Sequence, residues 1–178
     1  MITLPDGYTL SPIHDGDQPA LVTHLDDPEI YATTLRIPSP YTRADADAFV
    51  ASCFAPEKLA TGELRLALRL PQSGELIGVF GVHPGSGFEA HRAEIGYWVA
   101  RPYWGRGFAT TGVRALVRHA WEMRPELLRL DALVFAGNLA SARVLEKNGF
   151  AREGCLRGYT RKDGRLLDVW VYGSLRGG

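Results

Sequence analysis

The sequence predicts one α+β domain over residues 1–178, with a mixed, mostly antiparallel sheet of about six or seven strands flanked by helices. Two observations predict this class. In the middle of the chain, apolar residues alternate with polar ones over short stretches, as they do in strands; further on they recur at three- and four-residue spacing, as in helices. With 178 residues, 46% of them hydrophobic, the chain can bury one core without disulfides or metals.

The N-terminal third is predicted to contain one strand and three helices. Alternation over residues 8–13 predicts the strand. Apolar positions within residues 17–34, interrupted by a proline, predict two short helices. Residues 37–41 carry two prolines, which restrict the residues before them, so we expect an extended loop there. Residues 42–54 then form a helix in which Asp45 occupies the position of a capping acid.

The centre of the chain changes to a strand pattern. Residues 64–70 alternate between leucine and arginine or alanine, residues 76–82 are almost wholly apolar, and residues 93–100 form a third apolar stretch. Short turns rich in proline and glycine separate the three stretches. Three neighbouring strands joined in this way predict an antiparallel meander, whose middle strand is buried on both faces.

The remainder alternates between helix and strand. Residues 110–123 and 138–148 have helical spacing, and residues 128–135 between them form a strand. Two further strands, at residues 155–159 and 166–175, are predicted to form a hairpin that ends the chain.

Composition excludes several classes of protein. Twenty basic and 20 acidic residues give zero net charge, which argues against direct binding of nucleic acid. Cys53 and Cys155 are far apart and in no metal-ligand spacing, so we expect neither a disulfide framework nor a metal site. The sequence has no apolar run of about 18 residues and begins with no secretory leader. It therefore predicts a cytoplasmic protein that does not enter a membrane.

The zero net charge hides an uneven distribution. Residues 1–60 carry nine acidic and three basic side chains, whereas residues 61–178 carry 11 acidic and 17 basic ones. One reading is an uneven scatter of solvated charges. The other is a cationic partner at the first part and an anionic ligand at the second. A specific anion site in the basic part would favour the second reading.

Residues 102–110, with the sequence PYWGRGFAT, have the features of an anion site. They follow a strand and open a helix, whose N-terminus carries a partial positive charge. Small residues at Gly105, Gly107 and Ala109 let backbone N–H groups converge on a ligand such as a diphosphate, and Arg106 adds a full charge. The spacing differs from the dinucleotide fingerprint and from the P-loop. A tight turn that needs glycine for its backbone angles would also explain these residues.

Three further segments give the anion site its context. They are Glu94-Ile95-Gly96-Tyr97-Trp98-Val99, Asn138-Leu139-Ala140-Ser141 and Lys147-Asn148-Gly149-Phe150. In this order around the glycine turn, they resemble the GNAT superfamily of acetyl-CoA-dependent N-acetyltransferases. Within it they resemble the RimJ/RimL branch, which acetylates the N-termini of ribosomal proteins. The resemblance covers most of the chain and implies the GNAT fold.

The resemblance implies where acetyl-CoA would bind. The pyrophosphate would be held by the glycine turn and the start of its helix, at Arg106, Gly107, Phe108, Ala109 and Thr110. The pantetheine arm would pair with the preceding strand at Trp98, Val99 and Ala100. Asn138 would cap its helix and bond an amide of the arm, and Ser141 would lie one turn later. Arg143 and Lys147 either meet the nucleotide phosphates or face solvent.

The chemistry would be direct attack of an amine on the thioester. Of the two kinds of amine in proteins, the N-terminal α-amine has the lower reference pKa, near 8 against about 10.4 for lysine, so it is more readily neutral. Glu94 is our candidate for the base, ahead of His83 and His91, although a strand carboxylate of this kind can also be a simple salt-bridge partner. The tyrosine that many members use as the acid is replaced by Leu145. Ser141 would instead position the leaving thiolate.

The sequence thus predicts an N-acetyltransferase whose acceptor is a primary amine, and in particular a protein N-terminus. Pro38, Tyr41 and Glu94 would lie at the acceptor. The acidic residues expected to attract a cationic acceptor are Asp26, Asp27, Glu29, Asp45 and Asp47. Alternatives are an enzyme acting on small-molecule amines and a non-catalytic acyl-CoA sensor. A homodimer, paired through the hydrophobic residues 166–175, is a further possibility.

Overall fold

The computed structural model describes residues 1–177, and they form an open eight-stranded sheet in the order β1-β2-β3-β4-β5-β6-β8-β7. The strands are β1 (Ile2–Thr3), β2 (Thr9–Pro12), β3 (Leu64–Arg69), β4 (Leu76–Pro84), β5 (Arg92–Val99), β6 (Arg129–Phe135), β7 (Ala151–Lys162) and β8 (Arg165–Leu175). The helices are α1 (Gln18–Leu25), α2 (Pro28–Thr33), α3 (Arg43–Cys53), α4 (Pro56–Thr61), α5 (Phe108–Met123) and α6 (Leu139–Glu146).

One pair of strands differs from all the others. β5 and β6 are parallel, and their pairing extends only from Arg92 to Glu94 on β5 and from Arg129 to Asp131 on β6. Beyond this point, within residues 1–177, β5 pairs only with β4 and β6 only with β8. The two strands therefore separate, and the sheet has an opening in its middle.

Two hydrophobic cores lie on opposite faces of the sheet. Leu116 on α5 and Leu145 on α6 belong to the larger core. Leu21 on α1 and Val50 on α3 belong to the smaller one. Because β4 lies between them, its residues from Leu76 to Val82 are all buried, as the apolar run predicted.

Helix α5 packs unusually close to the sheet because it carries a glycine at the contact. A Cβ atom added at Gly112 would lie 2.3 Å from Cζ of Phe80 on β4. This contact fixes the start of α5 beside the opening between β5 and β6.

The predicted meander and the order of the later helices and strands are confirmed, as is the α+β class. Besides short 3-10 turns, the structure adds one strand and one α-helix. β1 has only two residues, too few for a visible alternation, and α4 has six residues with no apolar periodicity. β7 is longer than predicted, because as an edge strand it is exposed along nearly its whole length and lacks a strong apolar pattern. Among residues 1–177, the structure has no helix long and apolar enough to cross a membrane.

A buried ion pair joins the segment before α1 to β3. The guanidinium of Arg69 donates to both carboxylate oxygens of Asp17 at 2.7 and 2.8 Å, and its Nε donates to Ser11 Oγ. Asp17 and Arg69 are 3% and 7% exposed. Burial raises the pKa of Asp17, but the bonds from Arg69 and from the His14 backbone lower it by more, so the pKa lies below its usual value.

We expect Asp17→Asn to lower the free energy of unfolding by about 3–5 kcal/mol at pH 7, because it leaves the Arg69 charge buried without a counterion. Wild-type stability should begin to fall below about pH 4, where Asp17 of the unfolded chain takes up a proton while Asp17 of the folded protein stays ionised. The two proteins therefore converge as the pH falls towards the lower native pKa. Urea unfolding at several pH values measures both effects. Asp47→Asn, in the exposed pair with Arg43, is the control with a much smaller loss. An unchanged difference down to pH 3 would contradict this account.

Candidate active site

The separation of β5 from β6 opens a cleft of about 1020 Å³ that passes through the middle of the molecule. At one end it is bounded by the start of α5 and by α6, and at the other by residues 33–38 and α3. Most of the residues predicted for the site line it, although they come from positions more than 100 residues apart. They are Pro38, Tyr41, Glu94, Trp98, Val99, Gly107, Phe108, Ala109, Thr110, Asn138, Ser141, Arg143 and Lys147.

The glycine turn forms one end of the cleft. Gly105 and Gly107 have positive φ angles, 74° and 81°, and a Cβ atom added at either would meet no atom within 4 Å. The first turn of α5 begins here, and the N–H groups of this turn have no carbonyl acceptor within the helix. The indole Nε1 of Trp104 donates to the Val99 carbonyl at 2.6 Å, which holds the turn against the end of β5. The result is an open cradle of N–H groups that fits a diphosphate.

Two residues of the predicted coenzyme site lie outside the lining. Arg106 is exposed, and its guanidinium lies 5.7 Å from the centre of the Tyr103 ring at the rim of the cradle. Ala100 is fully buried, and its N–H donates to the Ile77 carbonyl at 2.8 Å.

Helix α6 contributes a small hydrogen-bonded group to the centre of the cleft. Asn138 Oδ1 accepts from the N–H of Ser141, as expected of an N-cap. The Ser141 hydroxyl lies 2.8 Å from the hydroxyl of Tyr97 on β5. Burial raises the pKa of Tyr97 to about 12, so the phenol stays protonated and acts as a hydrogen-bond donor. Sequence reasoning did not find Tyr97, because only the fold brings β5 against α6.

Glu94 and Tyr41 lie at the other end of the cleft in different settings. Glu94 is one-third exposed, and its nearest cationic atom is the Arg36 guanidinium at 3.9 Å. Tyr41 is buried, and its N–H donates to Asp26. Burial raises the pKa of the Tyr41 phenol to about 12. Pro38 is exposed at the entrance.

Most of the predicted acidic residues have structural roles. Asp26 accepts from Tyr41, Asp27 caps α2 and pairs with Arg101, and Asp47 pairs with Arg43. Only Asp45 of the five lines the cleft, and it also completes the capping box of α3. Of the five predicted acidic residues, the N-terminal third therefore contributes one carboxylate to the cleft, that of Asp45.

The other titratable candidates differ in position. His83 lines the cleft, whereas His91 is exposed in the turn before β5 and contacts the Phe88 carbonyl. Cys155 is exposed on β7. Burial raises the pKa of the Cys53 thiol, which disfavours a nucleophilic role. Within residues 1–177, His, Cys, Asp and Glu side chains form no group of three suited to a metal ion.

A splayed sheet beside an N–H cradle is the arrangement of an acyltransferase that takes its acyl group from a nucleotide-linked thioester, and comparison with known proteins supports this class. The family model described as an acetyltransferase (GNAT) domain matches residues 8–151. The chain therefore belongs to the GNAT acetyltransferase family, as its motifs predicted.

Individual relatives agree with the family. The chain is 35% identical over 112 residues to the uncharacterized N-acetyltransferase p20 of Bacillus licheniformis, a match that covers 63% of this chain and 62% of that protein. It is 35% identical over 83 residues to the ribosomal-protein-serine acetyltransferase of Escherichia coli, covering 47% and 46%. The structure of RimL, a ribosomal L7/L12 alpha-N-protein acetyltransferase in complex with coenzyme A, superposes with a TM-score of 0.83 at 20% identity, covering 98% and 97%. This last likeness shows the fold.

We expect Gly107→Glu to weaken binding of coenzyme A by at least about a hundredfold, because it places a carboxylate in the cradle where like charge is strongly unfavourable. Isothermal titration calorimetry measures the affinity. Gly149→Glu is the matched control, since Gly149 has the same φ of 81° and equally open surroundings but lies outside the cleft lining. Equal affinity of the two variants would show that the cradle does not hold the phosphates.

Proposed function

We propose that residues 1–178 form one catalytic unit that transfers an acetyl group from acetyl-CoA to a primary amine, and that this amine is the α-amine of a cytoplasmic protein's N-terminus. One observation carries the proposal. A single cleft joins a cradle of N–H groups at Gly107 to a carboxylate at Glu94, by way of the unpaired edge of β5. Donor and acceptor would enter from opposite ends and meet at the separation of the strands.

The donor half of the proposal assigns each group a role. The N–H groups from Arg106 to Thr110 would hold the pyrophosphate. The pantetheine arm would take the place of the missing strand and bond the exposed edge of β5 at Trp98 and Val99. Ala100 is not assigned to the arm, because its N–H bonds the Ile77 carbonyl and its carbonyl accepts from the Tyr103 N–H. Asn138 would accept from or donate to an amide of the arm, and Arg143 and Lys147 would meet the nucleotide phosphates.

Acetyl-CoA supplies the activated acetyl thioester. The amine must lose its proton before it attacks, and Glu94 would accept that proton directly or through one water. Ser141 would bond the leaving sulfur. The Tyr97 hydroxyl lies 2.8 Å from Ser141 Oγ and 3.2 Å from the Ser141 carbonyl, and it would donate to Oγ so that the serine's own hydrogen points at the sulfur. Leu145, fully buried, provides no acidic group at the position where other members carry tyrosine.

The preference for a protein N-terminus rests on the acceptor's chemistry and on the entrance. An α-amine is deprotonated more easily than lysine or a polyamine at neutral pH. Exposed Pro38 and Leu35 border an open entrance, which would admit a peptide in extended form. The relative from Escherichia coli is a ribosomal-protein-serine acetyltransferase, which supports a protein acceptor. A small-molecule amine remains the second candidate, because the cleft carries the Arg36 and Glu94 pair, which suits a zwitterionic substrate.

Calorimetric titration with acetyl-CoA, followed by measurement of thiol release, tests the function. The acceptors would be N-terminal peptides, the same peptides with blocked N-termini, amino acids and polyamines. Release with free but not blocked peptides supports the proposal. Thiol release only with small amines would indicate a small-molecule amine acetyltransferase. Binding of acetyl-CoA without thiol release would indicate a sensor.

We expect Glu94→Gln to lower kcat/KM by about a hundredfold below pH 8 and by much less above pH 9, because a growing fraction of the α-amine is then neutral without help. A pH–rate profile with a peptide acceptor measures this. Glu89→Gln is the control, since Glu89 pairs with Arg92 at 2.8 Å outside the cleft lining. A loss that is uniform across pH would exclude Glu94 as the base.

We expect Ser141→Ala and Tyr97→Phe to lower kcat by similar factors, about tenfold each, with the double variant no worse than the single ones. The reason is that Tyr97 would act only through the Ser141 hydroxyl. Steady-state kinetics on the four proteins complete the cycle. Additive losses would mean that the two hydroxyls act independently.

A further inference from the structure

The cleft contains a titratable side chain that the proposed function leaves unused. We propose that His83, held by Glu63, is a second catalytic base at the acceptor end of the cleft, and that the proton of the incoming amine passes to its Nε2, directly or by way of Glu94. This inference rests on the proposed function. It gives the imidazole of His83 a role in proton transfer, which the proposed function assigns to Glu94 alone.

The position of His83 is fixed by the pairing of β4 with β5. His83 lies directly opposite Glu94 in the register of these strands. Its ring extends over two glycines of the sheet: a Cβ atom added at Gly81 would lie 3.1 Å from Nε2, and one at Gly96 would lie 3.9 Å from it. All four residues line the cleft. Larger residues in place of the glycines would fill the space beside Nε2, so the strands leave this nitrogen accessible from the cleft.

Glu63 holds the other ring nitrogen. Its Oε1 lies 3.0 Å from Nδ1 of His83, and the carboxylate is only 7% exposed. A carboxylate cannot donate a proton in its ionised form, so Nδ1 must carry the hydrogen and the lone pair lies on Nε2. Arg65 forms an ion pair with the same oxygen of Glu63 at 2.6 Å. The pair of His83 and Glu63, called the dyad below, therefore presents Nε2 to the cleft as a proton acceptor, with the Glu63 carboxylate on the far side of the ring.

The surroundings keep the imidazole neutral. Burial lowers the pKa of His83, Glu63 and Glu94 raise it, and Arg65 and Arg36 lower it, so that the pKa lies below the usual value of 6.5. At pH 7 the ring is unprotonated and able to accept a proton. When it does so, Glu63 lies close enough to stabilise the imidazolium.

The proton balance of the step is simple. The ammonium N–H bond breaks, its proton forms a new N–H bond at Nε2, and the electron pair stays on the amine nitrogen. The neutral amine forms a bond to the thioester carbonyl carbon, and the carbon–sulfur bond breaks. The second proton of the amine goes to the departing thiolate, and the imidazolium returns its proton to water. The sum is an amide, a thiol and one proton released to solvent.

The chain contains its own control. His24 and Glu75 form a second imidazole–carboxylate pair with the same separation, 3.0 Å, and neither residue lines the cleft. The His24 side chain is more buried, at 9% exposure against 29% for His83. His24 therefore serves as the example of a histidine with a structural role. A substitution that slows acetyl transfer at His83 but not at His24 would indicate a catalytic role for His83.

The first test uses the wild-type protein without substrate. Nitrogen-15 NMR of the histidine rings, with His83→Gln used to assign the signal, gives the tautomer and the titration midpoint. We expect His83 to carry its proton on Nδ1 and to titrate below pH 6.5. A proton on Nε2, or a ring already protonated at pH 7, would overturn the proposal.

The second test compares His83→Gln with His24→Gln in acetyl transfer to a peptide. Glutamine retains a donor for Glu63 but does not titrate. We expect kcat to fall by about ten- to a hundredfold for His83→Gln, with the affinity for coenzyme A unchanged, and the acid limb of the wild-type profile to be lost. His24→Gln should retain both rate and profile. Equal rates and profiles of His83→Gln and the wild type would overturn the inference while the proposed function stands.

Glu63→Gln provides a second variant in case His83→Gln does not fold. Loss of the negative charge should lower the pKa of His83, so the acid limb of kcat/KM moves to lower pH and kcat falls. An unmoved limb would contradict the dyad. A wild-type protein that transfers no acetyl group to any amine would overturn the proposed function and this inference together, which distinguishes that failure from the failure of His83 alone.

Discussion

The early end of the pairing between β5 and β6 is the constraint on which the rest of the site depends. The two strands are parallel for three residues each and then follow different partners. A parallel pair that continued would bury its backbone groups within the sheet and leave no room for a ligand. Because it stops at Glu94, β5 keeps an unpaired edge and the cleft can pass between the two halves of the molecule.

Several local features serve this separation. Gly112 allows α5 to approach Phe80 closely, which brings the N–H cradle to the edge of the opening. Trp104 ties the cradle to the last residue of β5. At the start of the pair, Arg92 on β5 donates to Asp131 on β6, so the strands are held together where they are paired and free where they are not. The cleft is thus framed by rigid elements, which favours precise placement of two substrates.

The pairing of the last strands of the sheet limits how two copies of the chain could associate. β8 pairs with β6 on one side and β7 on the other, so the predicted contact of two copies through residues 166–175 would find no free backbone there. The edge strand beside β8 is β7, and its sequence mixes charged residues and glycines with few apolar ones. Such composition opposes uncontrolled edge pairing. Hydrophobicity indicates burial but not which neighbour provides it, and for β8 the neighbours within the chain are β6 and β7.

The sequence by itself determined the α+β class, the meander, the capped helices and the glycine turn, because these follow from periodicity and from backbone preferences over a few residues. It also pointed to Glu94 and Ser141, through motifs that lie within single elements. Only the tertiary structure decided that Tyr97 meets Ser141 and that Glu63 holds His83 opposite Glu94. Those contacts join residues 20 to 44 positions apart, and their geometry depends on strand register and on where one pair of strands separates, which no local pattern records.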